Sequence, residues 1–264
     1  RYYRFGCDYK EMKKEIAARE PDVVAVSSLF TTYSLEALEV ARCAKEVNPE
    51  IVTVMGGTHP TLFPEHVLKS PCVDYVVRGE GETPFFRLIA ALKEGRGAAI
   101  GDIDGVCRKT GSDLRISDIH VEDSIDLIPD RRLVNPADYR IGKKNYTFFL
   151  TSRGCPFHCA FCGRPPVPYR RRSLASIEQE IRQCLDANIQ ALDFEDDMLT
   201  LDPGYFRQML KLFHGTGLTL SAMNGIYAGG MDTATLDDMF TAGFRRLNFS
   251  LVDLSRSVPE RQKR

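Results

Sequence analysis

Three things that the sequence lacks each exclude a class of protein. Its 35 basic and 36 acidic side chains leave a net charge of −1, which gives no electrostatic reason to expect nucleic acid or an anionic membrane as a partner. No apolar run approaches the length of a membrane span, and the polar, basic start does not resemble a signal peptide. Eight cysteines in 264 residues are too few for a disulfide scaffold. We therefore expect a cytoplasmic protein with no membrane span and no nucleic-acid partner.

The composition itself is that of an ordinary globular protein, with 43% hydrophobic and 27% charged residues and a length that suits two modest domains. In the first part of the chain strands are predicted at residues 22–29, 51–55 and 73–77, and helices at 8–19, 34–47 and 83–94. This alternation with short connections predicts a parallel sheet with helices on its faces. The first of these strands is apolar and β-branched, which predicts burial on both faces.

Glycines follow the second and third predicted strands, as Gly56-Gly57 and as Gly79 and Gly81. In parallel sheets ligands bind at the carboxyl ends of the strands, and glycine lets the backbone approach a bulky ligand closely. The sequence therefore predicts a ligand site at this edge of the first sheet.

Between residues 99 and 145 the pattern loosens into turn residues, which predicts a linker with room for a β-hairpin. Strands are predicted again at residues 146–150, 189–194, 218–223 and 246–251, in a strand–helix repeat of about 25 to 30 residues that is typical of a parallel (βα) barrel or part of one. Barrel active sites lie at the carboxyl ends of the strands. The polar residues at those ends are Glu195, Asp196, Asp197, Asn224 and Ser250.

Three cysteines, Cys155, Cys159 and Cys162, follow the first of these strands in one short loop rich in glycine and proline. Such a loop lets its side chains converge on one point, and clustered thiolates are ligands for zinc or iron–sulfur centres. Three ligands leave a fourth position open, and an open position on a metal usually means chemistry.

Other readings of the cysteine loop exist. His158 adjoins the thiols, so a Cys₃His zinc site in an α/β binding protein is one alternative. A non-catalytic iron–sulfur electron carrier is a second, and it needs a fourth protein ligand to the cluster. Unrelated core thiols are a third, because free cysteine is often buried.

The cysteine loop resembles the signature of the radical S-adenosylmethionine (SAM) enzymes, and Phe161 matches the aromatic residue before the last cysteine. The resemblance implies that Cys155, Cys159 and Cys162 hold three irons of a 4Fe–4S cluster whose fourth iron is chelated by SAM. It also implies that the acidic residues Glu195 and Asp196 receive the amino group of SAM. For Asp197 the sequence itself favours a helix N-cap or a solvated turn. Further SAM contacts are implied for Phe161, Asn224 and Ser250.

The first part of the chain resembles the cobalamin-binding domain that precedes many radical SAM domains. Ser27-x-Leu29 matches that family's Ser-x-Leu motif, and Gly56-Gly57 matches its Gly-Gly. The segments 56–61 and 79–82 look like the versions found before radical SAM domains. The cofactor contacts that this implies are Ser27, Leu29, Gly56, Gly57, Thr58, His59, Gly79, Glu80 and Gly81, with His59 as a loop residue and not a cobalt ligand.

The resemblance implies a Rossmann-like (flavodoxin-like) domain over residues 1–98, a linker over 99–145 and a partial TIM-type radical SAM barrel over 146–264. It also implies missing parts, because the family's Asp-x-His-x-x-Gly loop would lie upstream of Arg1 and its barrel has six strands. Such enzymes take an electron from a donor such as flavodoxin or ferredoxin and split SAM into methionine and a 5′-deoxyadenosyl radical. With cobalamin they methylate, rearrange or cyclise an unactivated carbon of a small-molecule substrate.

Overall fold

The computed structural model describes residues 6–95, 99–159, 161–165, 167–224 and 226–249. The chain divides after Glu122 into two compact units, with residues 163–165 grouped with the first. No helix among the described residues is long and apolar enough to cross a membrane.

The first unit is a five-stranded sheet with helices. Its elements are α1 (Tyr9–Arg19), β1 (Val23–Ser27), α2 (Ser34–Val47), β2 (Val52–Gly56), α3 (Thr58–Leu62), α4 (Pro64–Leu68), β3 (Tyr75–Val77), α5 (Glu82–Lys93), β4 (Val106–Thr110) and β5 (Asp113–Arg115). The strand order is β1-β2-β3-β4-β5, in which β1, β2 and β3 run parallel. The predicted parallel sheet is thus confirmed, and it places the loops after β1, β2 and β3 at one edge.

Two expectations for the first unit are corrected. None of the five residues of β1 is buried, because β1 is an edge strand of the described sheet and not a central one. The hairpin expected between residues 99 and 145 is present as β4 and β5, but it does not lie in a free linker. It pairs antiparallel with β3, and Cys107 of β4 is fully buried in the core of this unit.

The second unit contains a second sheet and a two-stranded ribbon. Its elements are β6 (Arg140–Ile141), β7 (Lys144–Phe149), β8 (Ser152–Arg153), β9 (Arg170–Arg171), α6 (Leu174–Asp186), β10 (Ala191–Phe194), α7 (Pro203–Lys211), β11 (Thr219–Ala222), α8 (Thr233–Ala242) and β12 (Phe244–Leu247). The sheet order is β12-β11-β10-β7-β6, with β7, β10, β11 and β12 parallel and β6 antiparallel to β7. These are the four parallel strands that the sequence predicts, and they confirm the mixed α/β class.

Local sequence signals set the ends of the helices in the second unit. Ser173, Asp202 and Asp232 each accept a hydrogen bond from a backbone N–H in the first turn of α6, α7 and α8. Gly243 ends α8 with a φ of 117°, a conformation that favours glycine. Behind the sheet the core is aromatic, with Phe149, Phe194 and Phe213 in mutual ring contact at centroid distances of 5.5 to 5.9 Å.

Candidate metal and cofactor sites

The three-thiol loop leaves the second sheet through a neck made of β8 and β9, which pair antiparallel. Gly154 follows β8 with a φ of 85°, and a Cβ placed there would lie 2.1 Å from the carbonyl oxygen of Pro168. Only glycine allows the two sides of the loop to approach so closely. The loop therefore begins and ends at one narrow point, just beyond the carboxyl end of β7.

All three thiols of the loop are free, Cys155 and Cys159 partly buried and Cys162 exposed. The amide of Cys162 donates to the carbonyl of Cys159 at 3.0 Å, which keeps these two residues in one turn. Within the described residues no group of three His, Cys, Asp or Glu side chains stands close enough to hold a metal ion, so the expected convergence of the thiols is not present. The fit of this loop to an iron–sulfur cluster rests on its donors, which are three free, soft and accessible sulfurs.

Aromatic residues lie within the loop and beside it. Phe161, predicted from the motif, exposes 64% of its surface. Phe157 lies against Tyr227, with ring centroids 5.6 Å apart. The amide of Tyr227 donates to Oγ1 of Thr200, which in turn donates to the carbonyl of Tyr227, both at 2.8 Å. The loop after β11 thus contacts the thiol loop and is itself bonded to the loop after β10, a link that sequence spacing does not predict.

Glu195 and Asn224, which follow β10 and β11, are brought together as predicted. The side-chain amide of Asn224 donates to the carboxylate of Glu195. Burial raises the pKa of Glu195, and the hydrogen bond from Asn224 opposes that rise. A half-buried carboxylate held by an amide at this edge of the sheet is a suitable acceptor for an ammonium group.

Asp196 does not lie where the sequence predicts. Its carboxylate is fully buried and accepts hydrogen bonds from the amide of Thr151 at 3.0 Å, the hydroxyl of Thr151 at 2.7 Å and the hydroxyl of Ser152 at 2.6 Å. Burial raises the pKa of Asp196, while these hydrogen bonds act in the opposite direction. A carboxylate occupied by the protein is not presented to SAM, so Asp196 leaves the set of candidate SAM contacts.

Asp197 is also not in a solvated turn. The residue is half-buried, and its Oδ2 accepts a hydrogen bond from the amide of Gly154 at 3.0 Å. Nothing in the local sequence indicates this contact, because the two residues are 43 positions apart. Ser250 lies outside the described residues.

In the first unit the turn after β2 packs against the end of β1. Gly57 has a φ of 101°, and a Cβ there would lie 2.8 Å from the carbonyl oxygen of Ser28. The amide of Ser28 donates to the carbonyl of Gly56 at 2.8 Å, and the amide of His59 donates to the carbonyl of Ser28 at 3.0 Å. Ser27 and Leu29 are exposed on either side of Ser28. The Ser-x-Leu and Gly-Gly segments are therefore neighbours, as the resemblance implies.

His59 is buried at this turn, with Nδ1 3.2 Å from Oγ1 of Thr31. Its Nε2 and the hydroxyl of Ser28 are buried polar atoms with no hydrogen-bond partner among the described residues. Burial, and to a smaller degree the nearby His66, lower the pKa of His59, which favours the neutral ring. Two unsatisfied polar groups under one turn are a place where a ligand's polar atoms fit. Thr58 begins α3 beside them.

The turn after β3 is in contact with His120 and Glu122, in the segment after β5. Gly79 has a φ of 97°, and a Cβ there would lie 2.2 Å from the carbonyl oxygen of His120. The amide of Glu80 donates to that same carbonyl at 2.9 Å, and its carboxylate accepts from the amide of Glu122 at 2.7 Å. Gly79 and Glu80 thus contact the segment after β5 and have structural roles, whereas Gly81 is the N-cap residue of α5.

The chain is similar to known proteins in its first part and over most of its length. Residues 2–89 match the B12 binding domain family. The chain is 33% identical over 203 residues to an uncharacterized methyltransferase of Pyrococcus horikoshii, an alignment covering 74% of this chain and 43% of that protein. The chain spans about half the length, or less, of the curated relatives it matches.

Two solved structures have the same fold. The cobalamin-dependent S-adenosylmethionine radical enzyme OxsB, with aqua-cobalamin and S-adenosylmethionine bound, matches with a TM-score of 0.75 at 16% identity, over 98% of this chain and 39% of that one. The radical S-adenosylmethionine methyltransferase TsrM from Kitasatospora setae, with cobalamin and a 4Fe–4S cluster bound, matches with a TM-score of 0.71 at 19% identity, over 91% of this chain and 50% of that one.

Proposed function

Because this chain is related to the cobalamin-dependent radical SAM enzymes, we propose that it is part of an enzyme that cleaves SAM reductively at a 4Fe–4S cluster and also uses cobalamin. The observation that carries the proposal is the loop of three free thiols at the carboxyl edge of the second sheet, where Glu195 and Asn224 also lie. We assign the cluster and SAM to the domain predicted over residues 146–264 and cobalamin to that over 1–98.

Cys155, Cys159 and Cys162 are the proposed cluster ligands. When bound, the cluster supplies the electron that cleaves SAM. The chain contributes a neck that holds the thiols at the end of β7, and a ring contact between Phe157 and Tyr227 that joins the loop to the segment after β11.

Glu195 is the proposed acceptor for the ammonium group of SAM, with Asn224 holding its carboxylate in place. Replacing Glu195 with glutamine removes the charge but keeps the shape. Loss of a charged hydrogen bond costs about 1.5–3 kcal/mol, so we expect SAM affinity to fall roughly ten- to a hundredfold. The readout is a SAM titration followed by the EPR signal of the reduced cluster in the full-length protein.

Two controls accompany this variant. Iron content should equal that of the parent, because Glu195 is not a proposed iron ligand. Glu178→Gln alters an exposed acid on α6 and should leave SAM affinity unchanged. Parental affinity in Glu195→Gln would exclude Glu195 as the ammonium acceptor.

Cobalamin is proposed to bind at the turn formed by Ser28, Gly57 and His59. When bound, it supplies a carrier for a methyl group. The buried hydroxyl of Ser28 and Nε2 of His59 gain partners if a polar part of the ligand enters beside the turn.

His59 is not proposed as a ligand to cobalt, because Nε2 is enclosed beneath the turn and the other ring nitrogen faces Thr31. In the full-length protein His59→Ala should therefore weaken corrinoid retention but leave the absorption bands of the bound corrinoid in place. The exposed neighbour His66 provides the matched control, as His66→Ala. A shift of the bands in His59→Ala alone would identify a cobalt–imidazole bond.

The substrate is proposed to be a small molecule, and the reaction a methylation, rearrangement or cyclisation at an unactivated carbon. The electron donor is proposed to be a flavodoxin- or ferredoxin-type protein.

The decisive experiment is anaerobic reconstitution of the full-length protein with iron and sulfide, followed by assay of SAM cleavage to 5′-deoxyadenosine. We expect a brown protein with about four irons and four acid-labile sulfides. Stoichiometric zinc in a colourless protein would instead support the Cys₃His binding site. A cluster that never cleaves SAM would support the electron carrier.

A further inference from the structure

The neck below the three-thiol loop, made of β8 and β9, is held by several kinds of contact. Besides the β8–β9 pairing and the close approach of Gly154 to Pro168, the hydroxyl of Tyr205 donates to the carbonyls of Thr151 at 3.2 Å and Arg172 at 2.9 Å. The amide of Arg172 also donates to the carbonyl of Thr151, at 2.9 Å. Both strands that enter and leave the loop are thus fastened to each other.

Two neighbouring carboxylates reach this neck from the loop after β10. Asp196 binds Thr151 and Ser152 through three hydrogen bonds, as described above. Asp197 binds the amide of Gly154, the residue directly before Cys155. Gly154 is buried, so its N–H has little access to water and needs an acceptor within the protein.

The three acids after β10 therefore divide into two groups. Glu195 lies beside Asn224 at the edge of the sheet, whereas Asp196 and Asp197 face the backbone that leads into the thiol loop. An acceptor that is a full negative charge makes a stronger hydrogen bond to a backbone amide than a neutral one. Gly154 has a positive φ, and such a conformation persists only where surrounding contacts hold it.

We propose that Asp197 is a positioning residue for the thiol loop, which fixes the direction of Cys155 by accepting the amide of Gly154. Asp196 assists by binding Thr151 and Ser152, at the start of the same segment. This inference rests on the proposed function of the three thiols as cluster ligands. It gives the two aspartates a role that differs from SAM binding.

The first test uses the cluster-free full-length protein and needs no activity. Each thiol's rate of alkylation by iodoacetamide is measured by peptide mass spectrometry in the parent, Asp197→Ala and Asp197→Asn. We expect Asp197→Ala to alkylate Cys155 roughly tenfold faster, because loss of a charged hydrogen bond makes local opening more frequent. Asp197→Asn keeps a side-chain carbonyl as a neutral and weaker acceptor, and its rate should lie between those of the parent and the alanine variant.

Cys7 is exposed and belongs to the other unit, so its alkylation rate serves as the internal standard. If Cys155 in Asp197→Ala reacts at the parental rate, or if the asparagine variant is as reactive as the alanine variant, the proposal is overturned. Glu195→Gln should leave all three rates unchanged, since Glu195 does not face the neck.

The second test uses the reconstituted protein. The EPR line shape of the reduced cluster should change in Asp197→Ala and lie closer to that of the parent in Asp197→Asn, a graded pattern that a general loss of stability would not produce. A protein that binds zinc and no cluster, yet shows the expected alkylation pattern, would overturn the proposed function and leave the role of Asp197 in shaping the loop. A parental line shape in Asp197→Ala would overturn the positioning role.

Discussion

Replacing Cys159 with alanine is expected to abolish assembly of the cluster. Cys159 is the middle donor of the loop, and its carbonyl also accepts the amide of Cys162, so the middle and last donors lie in one turn. Two thiolates cannot hold three irons of a cluster, and no nearby group of described side chains forms an alternative site. Iron and acid-labile sulfide, measured after anaerobic reconstitution of the full-length protein, should fall to background, and the brown absorption should be lost.

Cys184→Ala is the control for this experiment. Cys184 lies on α6 and is fully buried in the core, where burial raises the pKa of its thiol to about 11 and so disfavours the thiolate that a metal ligand requires. This variant should assemble a full cluster. Full iron and sulfide in Cys159→Ala would show that the thiols of this loop are not the ligands.

Replacing Glu180 with alanine is expected to destabilise the second unit strongly. Glu180 is 1% exposed and pairs with both Arg131 and Arg172, whose side chains are 12% and 5% exposed. Arg172 also donates to the carbonyl of Leu150 at 2.9 Å, directly before the neck. Without the carboxylate two guanidinium groups remain buried with no counter-charge, which costs about 3–5 kcal/mol.

The matched control is Glu178→Ala, two residues earlier on the same helix. Glu178 pairs with Arg182 at 2.6 Å, but the two side chains are 50% and 67% exposed, and such surface pairs contribute about 0–1 kcal/mol. Urea denaturation followed by far-ultraviolet circular dichroism should separate the two variants clearly. Equal midpoints for Glu180→Ala and Glu178→Ala would mean that the buried ion pairs contribute no more than the exposed one.

Much of the fold could be predicted from the sequence because its signals are local. Hydrophobic periodicity predicts the parallel strands of both units and the helices α1, α2 and α5, whereas it does not predict the short helices α3 and α4. The caps at Ser173, Asp202 and Asp232 mark the helix starts in the second unit. The order of the strands within a sheet is harder to predict from local sequence. The apolar pattern of β1 indicates a buried strand, but the strand lies at an edge, and sheet order depends on contacts between residues that are far apart in sequence.

In the candidate sites, too, local features could be predicted from the sequence and contacts between distant residues could not. Motif spacing identifies the three thiols, and the end of a parallel strand identifies Glu195 and Asn224, which the structure brings together. The orientation of each side chain is a different matter. Glu195, Asp196 and Asp197 are consecutive acids, yet one lies beside Asn224, one is fully buried and one binds Gly154.

The sequence by itself determined the α/β class, the parallel strands, the cysteine loop and the family resemblance, since each follows from residue types at short, regular spacing. Only the tertiary structure decided that Asp196 and Asp197 hold the neck, that Glu80 binds the amide of Glu122, and that His59 is buried with Nε2 unsatisfied. The physical reason is that a carboxylate or imidazole binds whichever donor the fold brings within about 3 Å. For these residues most of those donors lie more than 25 positions away in the chain.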